Sequence, residues 1–288
     1  MRAATGAAWL TARGAVSLDR PCVVGILNVT PDSFWDGGLH AGVEAAVVHA
    51  GRLLADGADL LDVGGESTRP GAQPVPPAEE IARVVPVVQA VVRAFPDALL
   101  SVDTMKADVA RTALAEGAAI VNDVSGLRLD PGMSEVVRES GAGVIVMHSR
   151  GGIETMARYT EAVYGPDPAA DVARELAEAL DRARAAGIPD EAVVLDPGFG
   201  FSKRTEHSIA VLAHLDRILA LGRPVLVGPS RKRFVGEAAG TTSPEDRLPG
   251  TIAACVVALL RGARLFRVHD VLETRRALAL AEAVRTAP

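Results

Sequence analysis

The sequence is poor in aromatic residues and cysteine, and it has no hydrophobic run long enough to cross a bilayer. Aromatic residues are 3% of the 288 residues, although hydrophobic residues reach 49%. The apolar content is therefore mostly aliphatic, as in close-packed α/β proteins. The two cysteines, Cys22 and Cys255, lie far apart in apolar runs, which argues against a disulfide framework and favours a reducing compartment. The longest apolar run, residues 252–260, is too short to span a membrane.

The chain also lacks an excess of charge of one sign. It carries 30 basic and 36 acidic residues, mixed along its length, for a net charge of −6. It has no basic stripe of the kind that nucleic-acid binding requires, and its first residues lack the apolar stretch of a signal peptide. We therefore expect a cytoplasmic protein with no nucleic-acid and no membrane partner. Any anionic ligand must be held by cations that cluster locally, because the global field opposes it.

Short β-branched runs alternate with alanine-rich segments of helical period. This alternation predicts βαβ units and a parallel sheet. The predicted helices include residues 43–56, 107–116 and 169–186, and Gly57, Gly117 and Gly187 stand where helix-terminating glycines do. The eight predicted strands are residues 23–29, 60–64, 99–103, 120–123, 143–148, 193–196, 225–228 and 265–269.

Eight such units in about 250 residues match the size of one α/β domain of the (β/α)₈ TIM-barrel class. No low-complexity linker or break in composition divides the chain. We therefore assign residues 23–288 to a single barrel. Residues 1–22 are predicted to form an N-terminal extension, hairpin-like around Gly14, that packs on the bottom of the barrel.

A polar side chain follows every predicted strand. In a closed parallel barrel these strand ends meet on one face, where the active sites of this fold are found. A buried polar group there is costly unless it is paired. The sequence therefore favours a ligand, or a dense hydrogen-bond network, on this face. The polar residues include Asn28, Thr68, Arg69, Asp103, Asn122, His148, Asp196, Lys232, Arg267 and His269.

Cationic side chains are concentrated after strands two, seven and eight. Arg69, Lys232, Arg267 and His269 stand there, with Asn28 and Thr68 as neutral partners. Such a set suits a phosphate-bearing substrate, because arginine offers a planar fork and lysine a point charge. The alternative is that each cation pairs with a neighbouring carboxylate, such as Glu66, Asp103, Asp123 or Asp270.

Carboxylate and amide groups follow strands three, four and six. Asp103, Asn122 and Asp196 suit a flat heterocycle with a guanidine-like edge, since a carboxylate accepts two parallel N–H bonds and an amide both donates and accepts. The alternative makes Asp196-Pro-Gly a turn that caps the next helix. No closely spaced histidine pair predicts a zinc site.

Two loops have the composition of lids. Residues 30–38 carry Phe34, Trp35 and Asp36 among glycine, proline and small polar residues, and residues 66–71 have a similar composition. Aromatic residues flanked by glycine suit a loop that closes over substrate and excludes water. The alternative is an ordinary surface loop whose aromatic residues pack on the barrel rim.

Seven motifs at the predicted strand ends identify a family. These motifs are Gly25-Ile-Leu-Asn-Val-Thr-Pro-Asp-Ser-Phe, Gly65-Glu-Ser-Thr-Arg-Pro-Gly, Ser101-Val-Asp-Thr, Asn122-Asp-Val-Ser-Gly, Asp196-Pro-Gly-Phe-Gly-Phe, Ser230-Arg-Lys-Arg-Phe and Arg267-Val-His-Asp. Together they resemble the signature segments of the dihydropteroate synthases, and the resemblance extends from residue 23 to the last helix. The first two motifs are highly specific, whereas Ser-Val-Asp-Thr alone is weak.

The resemblance implies a barrel transferase of folate biosynthesis, a homodimer and a sulfonamide target. Such an enzyme condenses (7,8-dihydropterin-6-yl)methyl diphosphate with 4-aminobenzoate. By resemblance, Asn28 is a ligand of Mg²⁺. The pterin diphosphate is bound by Thr68, Arg69, Asp103, Asn122, Asp196, Lys232, Arg267 and His269, and 4-aminobenzoate by Phe34, Pro70, Phe201, Ser230 and Arg233. We expect Asp36, Asp103, Lys232 and Arg267 to be the catalytic residues.

Three positions depart from the family pattern. Trp35 stands where a small residue is commoner, Arg233 where serine is also frequent, and the usual proline after His148 is missing. Two rival functions stay open. A non-catalytic pterin-binding paralogue, or a folate-dependent methyltransferase-like domain, would keep the pterin residues but lack the lids and the diphosphate cations. An aldolase would use Lys232 as a Schiff base.

Overall fold

A parallel barrel surrounded by helices forms the body of the protein, as the sequence predicts. The computed structural model describes residues 8–30, 39–67 and 73–287. Within these ranges the strands are β1 (Ala8–Thr11), β2 (Gly14–Ser17), β3 (Cys22–Asn28), β4 (Leu60–Gly64), β5 (Leu100–Asp103), β6 (Ile120–Asp123), β7 (Gly143–Met147), β8 (Val193–Asp196), β9 (Leu226–Val227) and β10 (Leu265–Val268). The barrel strands begin and end within two residues of the predicted bounds.

The helices surround the barrel, and at least one helix separates each barrel strand from the next along the chain. The helices of the described residues are α1 (Leu39–Ala55), α2 (Pro77–Ala94), α3 (Ala107–Ala115), α4 (Met133–Ser140), α5 (Pro168–Ala185), α6 (Thr205–Ala213), α7 (Asp216–Leu219), α8 (Arg233–Ala239), α9 (Leu248–Arg261) and α10 (Val271–Thr286), with 3₁₀ turns at Asp190–Ala192 and Glu245–Arg247. Gly57, Gly117 and Gly187 follow three of the helices with φ of 99°, 110° and 82°. This left-handed conformation favours glycine and ends a helix, as predicted. Among the described residues, no helix combines the length and apolar character that crossing a membrane would need.

The barrel strands are neighbours in the order β8, β7, β6, β5, β4, β3, β10, β9, all parallel. A single bridge between Leu195 and Val225 joins β8 to β9 and closes the ring. The strands are buried on both faces, which is why they read as continuous apolar runs. The seam between β8 and β9 is the thinnest part of the ring, because β9 has two residues.

An antiparallel hairpin of β1 and β2 covers the end of the barrel where the strands begin. Ala8 pairs with Ser17 and Thr11 with Gly14. The side chain of Trp9 is fully buried, and its Nε1 donates to the carbonyl of Ala192, 2.8 Å away, just before β8. The assignment of residues 1–22 as a separate extension stays a prediction.

Candidate active site

Four neighbouring strands end at one level of the barrel. Asn28 lies opposite Gly64, Gly64 opposite Asp103, and Asp103 opposite Asn122. Gly64 has no side chain to separate its neighbours: a Cβ at this position would lie 3.4 Å from Cβ of Asp103 and 3.8 Å from Oδ1 of Asn28. The predicted convergence of the strand ends therefore exists, with Asn28 and Asp103 side by side over a glycine.

Arg267 reaches across the barrel mouth from β10 to β4 and β5. Its Nε donates to Oδ2 of Asp62, 2.6 Å away, and its Nη2 to Oδ2 of Asp103, 2.7 Å away. Pairing with Asp103 was the alternative that the sequence left open, and it is present. Burial raises the pKa of Asp103 to about 7, although the guanidinium of Arg267 opposes the shift. Two carboxylates therefore share one guanidinium here.

Asp62 is a site residue that the sequence analysis did not identify. It lies in the middle of β4 with no exposed surface, and its Oδ2 also accepts from Nδ2 of Asn122, 2.9 Å away. Its position inside an apolar strand was a signal, because a charged side chain in a fully buried parallel strand requires a partner.

Asp196 lies at the end of β8, with 6% of its surface exposed. Burial raises the pKa of this carboxyl to about 6, against the hydrogen bond from the Gly198 amide and the charges of Lys232, Lys203 and Arg267. The Gly198 N–H donates to Oδ1 from 2.7 Å, which closes a local turn. This turn does not cap the next helix, as the alternative interpretation required, because that helix begins at Thr205 with Arg204 as its N-cap. A group of raised pKa in a cluster of charges is typical of a functional site.

Lys232 connects the two halves of the cluster. Its charge acts on both Asp103 and Asp196, and its Nζ lies 4.1 Å from the ring centroid of Phe201. The structure therefore brings Asp103, Asp196, Lys232 and Arg267 into one electrostatic unit, with the Phe201 ring beside it.

Ser230 and His269 form a pair next to Arg267. Oγ of Ser230 accepts from the His269 amide at 3.1 Å and lies 2.9 Å from Nδ1 of the same residue. The hydroxyl can donate to Nδ1 or accept from it, so this contact holds the ring in either tautomer. Burial, with the charge of Arg267, lowers the pKa of His269 to about 3. The lowered pKa makes His269 a neutral ring in the free protein, and its predicted contact with the diphosphate stays a prediction.

A buried lysine orders the loop after β8. Nζ of Lys203, which is 1% exposed, lies 2.7 Å from Nδ1 of His148 and 3.1 Å from the carbonyls of Gly198 and Phe201. Nε2 of His148 lies 3.0 Å from Oε2 of Glu175. Burial lowers the pKa of Lys203 to about 7 and that of His148 to about 4. Lys203 and Glu175 were also missed, since a lysine in a polar loop and a glutamate on a helix read as solvated.

Arg233 begins α8, directly after Lys232, and its side chain contacts residues outside the cluster. Its guanidinium pairs with Glu237 and lies 4.9 Å from the ring centroid of Tyr159. Its side chain is largely exposed, and its predicted contact with a substrate carboxylate stays a prediction.

Five predicted site residues lie outside the described residues, namely Phe34, Asp36, Thr68, Arg69 and Pro70. The residues that flank residues 68–72 are well anchored. Oε1 of Glu66 accepts from the Val75 amide at 2.6 Å, and Oε2 of Glu66 lies 3.0 Å from Nζ of Lys106.

Asn28 fits a magnesium ion that arrives with a phosphate ligand. Among the described residues, no group of three or more histidine, cysteine, aspartate or glutamate side chains forms a metal cage. Mg²⁺ prefers oxygen ligands, keeps several waters and is held by one or two protein groups together with substrate phosphates. The amide oxygen of Asn28, beside Gly64, is a ligand of the required kind.

A cleft of about 200 Å³ lies outside the barrel axis, between α5 and the loops after β6 and β7. Its arginines are already engaged. Arg150 pairs with Glu175, and Nη2 of Arg128 donates to the carbonyls of Ser149 and Gly151. The charges of this cleft therefore offer a small molecule less than those of the barrel mouth.

Known proteins resemble the chain over nearly its full length. The profile of a family described as "Pterin binding enzyme" matches residues 24–269. The dihydropteroate synthase of Escherichia coli (strain K12) is 44% identical over 273 residues, which are 95% of each chain. A Xanthomonas albilineans dihydropteroate synthase solved with 4-aminobenzoic acid is 48% identical, with a TM-score of 0.90 and coverage of 99% of this chain and 100% of that one. The same enzyme solved with 7,8-dihydropteroate gives 46% identity and a TM-score of 0.85, with coverage of 95% and 97%.

Proposed function

The chain belongs to the dihydropteroate synthase family of pterin-binding enzymes, and on that premise we propose how the residues of its barrel mouth carry out the family's reaction. The enzyme is a transferase: it condenses (7,8-dihydropterin-6-yl)methyl diphosphate with 4-aminobenzoate, giving 7,8-dihydropteroate and diphosphate. The observation that carries the assignment of residues is the single cluster of Asp103, Asp196, Lys232 and Arg267 at the strand ends.

The pterin ring binds beside the carboxylates of the cluster, Asp103 and Asp196. Asp196 accepts N–H bonds from the guanidine-like edge of the ring, Asn122 lies on the neighbouring side, and Lys232 donates to ring acceptors. The planar guanidinium of Arg267, fixed by two carboxylates, stacks on one face of the ring. Its two ion pairs support this role, because they hold the guanidinium in one orientation.

Diphosphate departs when its developing charge is neutralised. Preorganised charges and donors aimed at the leaving group lower that barrier. The groups assigned to this role are Arg69, Thr68, Arg267 and His269. Asn28 would hold a magnesium ion here, which would supply further neutralisation of the diphosphate charge.

Loss of diphosphate leaves a resonance-stabilised carbocation on the pterin methylene carbon, as in an SN1-like displacement. The carboxylates of Asp36 and Asp103 stabilise this charge. The neutral aromatic amine then attacks this carbon and forms the new C–N bond, and the proton lost from its nitrogen passes to solvent water. The attack needs no general base, because the amine is already nucleophilic.

4-Aminobenzoate binds next to Lys232. The Phe201 ring, already in contact with Lys232, forms one wall, and Phe34, Pro70, Ser230 and Arg233 complete the pocket. Nε of Arg233 pairs with Glu237 in the free protein, and its two Nη groups are the donors that we assign to the carboxylate of 4-aminobenzoate.

An assay for diphosphate release tests the function directly. Release must depend on both the pterin diphosphate and 4-aminobenzoate, and 7,8-dihydropteroate must form in equal amount. A paralogue or a methyltransferase-like domain would bind the pterin without releasing diphosphate. A carbonyl substrate trapped on Lys232 by borohydride would instead support the aldolase.

The homodimer and the cytoplasmic location belong to the same proposal. Val257 and Leu260 on α9 are 41% and 54% exposed, and Leu280 and Val284 on α10 are 69% and 67% exposed. These two helices pack against each other, so the four aliphatic side chains lie on neighbouring surfaces suited to a second copy. Both cysteines are buried and free, which suits a reducing compartment.

A further inference from the structure

We propose that Asp62 fixes the orientation of the Asn122 amide, and that it thereby decides which pteridine rings the pocket accepts. Asp62 is a positioning residue in this proposal, which rests on the proposed function. Asn122 forms hydrogen bonds with the ring, and Asp62 determines whether the amide oxygen or the amide nitrogen of Asn122 faces the ring.

The orientation follows from the chemistry of three groups that meet at one oxygen atom. Oδ2 of Asp62 lies 2.6 Å from Nε of Arg267 and 2.9 Å from Nδ2 of Asn122. A guanidinium only donates hydrogen bonds and an ionised carboxylate only accepts them, so the Asn122 group that faces Asp62 must be the N–H₂. A flipped amide would place its oxygen against the carboxylate oxygen.

The amide oxygen of Asn122 consequently faces away from Asp62. Asn122 lies opposite Asp103 in the sheet, and Asp196 ends β8 on the same barrel face. The pocket therefore presents acceptors, and a ring with an amino group at position 2 satisfies both Asn122 and Asp196. An oxo group at that position would meet acceptors.

A purely structural role explains Asp62 poorly. The residue has no exposed surface, and its Oδ1 is buried without a hydrogen-bond partner in the described part of the chain. Ser101, opposite Asp62 on β5, has a buried Oγ in the same condition. Burying a carboxylate with one unpaired oxygen is costly, and replacing such groups with apolar residues is often neutral or stabilising. The contacts of the Asp62 carboxylate with Arg267 and Asn122 explain why the strand carries a charged residue at this position.

The test compares the binding of two rings that differ at position 2, pterin (2-amino) and lumazine (2-oxo), by calorimetry. Wild-type protein is expected to prefer pterin. In Asp62→Asn the Asn122 amide is free to turn and to donate to an oxo group, so we expect the preference to fall by about tenfold. Asp62→Asn in an Asn122→Ala background is expected to leave the preference unchanged, because the group that turns is gone.

Asp59→Asn is the matched control. It removes a carboxylate that pairs with Arg20 and Arg275 at the opposite end of β4, without contact to Asn122. A general loss of stability would affect both rings equally in either variant, and an equal loss in Asp62→Asn overturns the inference.

The remaining outcomes also support or contradict the inference. If Asp62→Asn does not fold, Asn122→Ala alone tests the acceptor: an unchanged preference for pterin overturns the inference, and a reduced preference supports it. Wild-type protein that binds neither ring contradicts the proposed function together with the inference. Wild-type protein that prefers pterin, with the same preference in Asp62→Asn, removes the inference and leaves the function standing.

Discussion

Nζ of Lys203 and Nδ1 of His148 lie 2.7 Å apart inside the protein, and this contact ties the loop after β8 to the end of β7. The ring of His148 transmits the contact to Glu175, since its Nε2 lies 3.0 Å from Oε2 of that residue. Against the effect of its burial, hydrogen bonds from His148 and Arg150 lower the pKa of Glu175. The loop that carries Phe201 is therefore held by a hydrogen-bonded row that ends on α5.

Removing the charge from this row is expected to loosen the loop. Lys203→Met keeps the length of the side chain and leaves the carbonyls of Gly198 and Phe201 without their donor. We expect the free energy of unfolding, measured with urea, to fall by about 3 kcal/mol. The KM for 4-aminobenzoate should rise more than the KM for the pterin diphosphate. Arg204→Met, at the exposed neighbouring position, is the control, and a loss as small as the control's would contradict the role.

Pterin binding is expected to weaken below pH 6. Burial raises the pKa of Asp196 to about 6 in the free protein, so the carboxylate is increasingly protonated below that pH. The protonated form accepts fewer N–H bonds, and protonation of Asp196 alone should lower the association constant by up to about tenfold for each pH unit below 6. Asp196→Asn should abolish this step and leave the contribution of Asp103, whose pKa is raised to about 7. Calorimetry across pH 5–8 measures both curves, and identical curves would contradict the assignment.

Arg267→Lys is expected to be severe in spite of the conserved charge. One ammonium cannot replace the Nε and Nη2 donors that contact Asp62 and Asp103. We expect kcat/KM to fall by about 100-fold, which corresponds to about 2.7 kcal/mol. Arg275→Lys is the control, because Arg275 also makes several hydrogen bonds but lies at the opposite end of the barrel, beside Pro21 and Gly57. A comparable loss in the control would mean that the effect is not specific to the site.

The N-terminal hairpin is expected to stabilise the barrel through one side chain. Trp9 is fully buried and donates to the Ala192 carbonyl. Trp9→Ala should lower the free energy of unfolding by about 3–5 kcal/mol, as for other buried aromatic residues. Trp9→Phe should cost less, because the ring is kept and the hydrogen bond is lost. Leu10→Ala, at a 41% exposed position next to it, should cost under about 1 kcal/mol. Urea unfolding of the three variants gives the comparison.

Charges on the exposed faces of α9 and α10 are expected to break the proposed dimer. Leu260→Glu combined with Leu280→Glu introduces carboxylates at positions 54% and 69% exposed, which a monomer tolerates and a buried interface does not. Light scattering should give twice the chain mass for wild-type protein and the chain mass for the variant. Val48→Glu, at a 75% exposed position on α1, should leave the mass unchanged. A monomeric wild-type protein would contradict the proposal.

The fold was predictable because each local pattern agrees with the barrel. Eight apolar runs, each followed by a polar residue, give both the strands and the functional face. The strand before Gly228 is the weakest case. Residues 225–228 were predicted and two of them form β9, since Val225 makes an isolated bridge and lies outside the regular ladder.

The partners of the site residues were less predictable than the residues themselves. Which carboxylate Arg267 selects depends on distances across the barrel, and sequence order does not contain them. Asp62 stands 205 residues before Arg267 and makes the shorter of its two contacts. The lowered pKa of His269 likewise depends on burial and on the charge of Arg267.

The narrow seam of the ring gives ligand binding a mechanical effect. Asp196 ends β8 on one side of the Leu195–Val225 bridge, and Lys232 follows β9 on the other. A pterin bound to both residues therefore connects the two sides of this junction. Substrate binding would thus slow the transient separation of β8 and β9, and the barrel would resist opening at this junction most strongly while a substrate is bound.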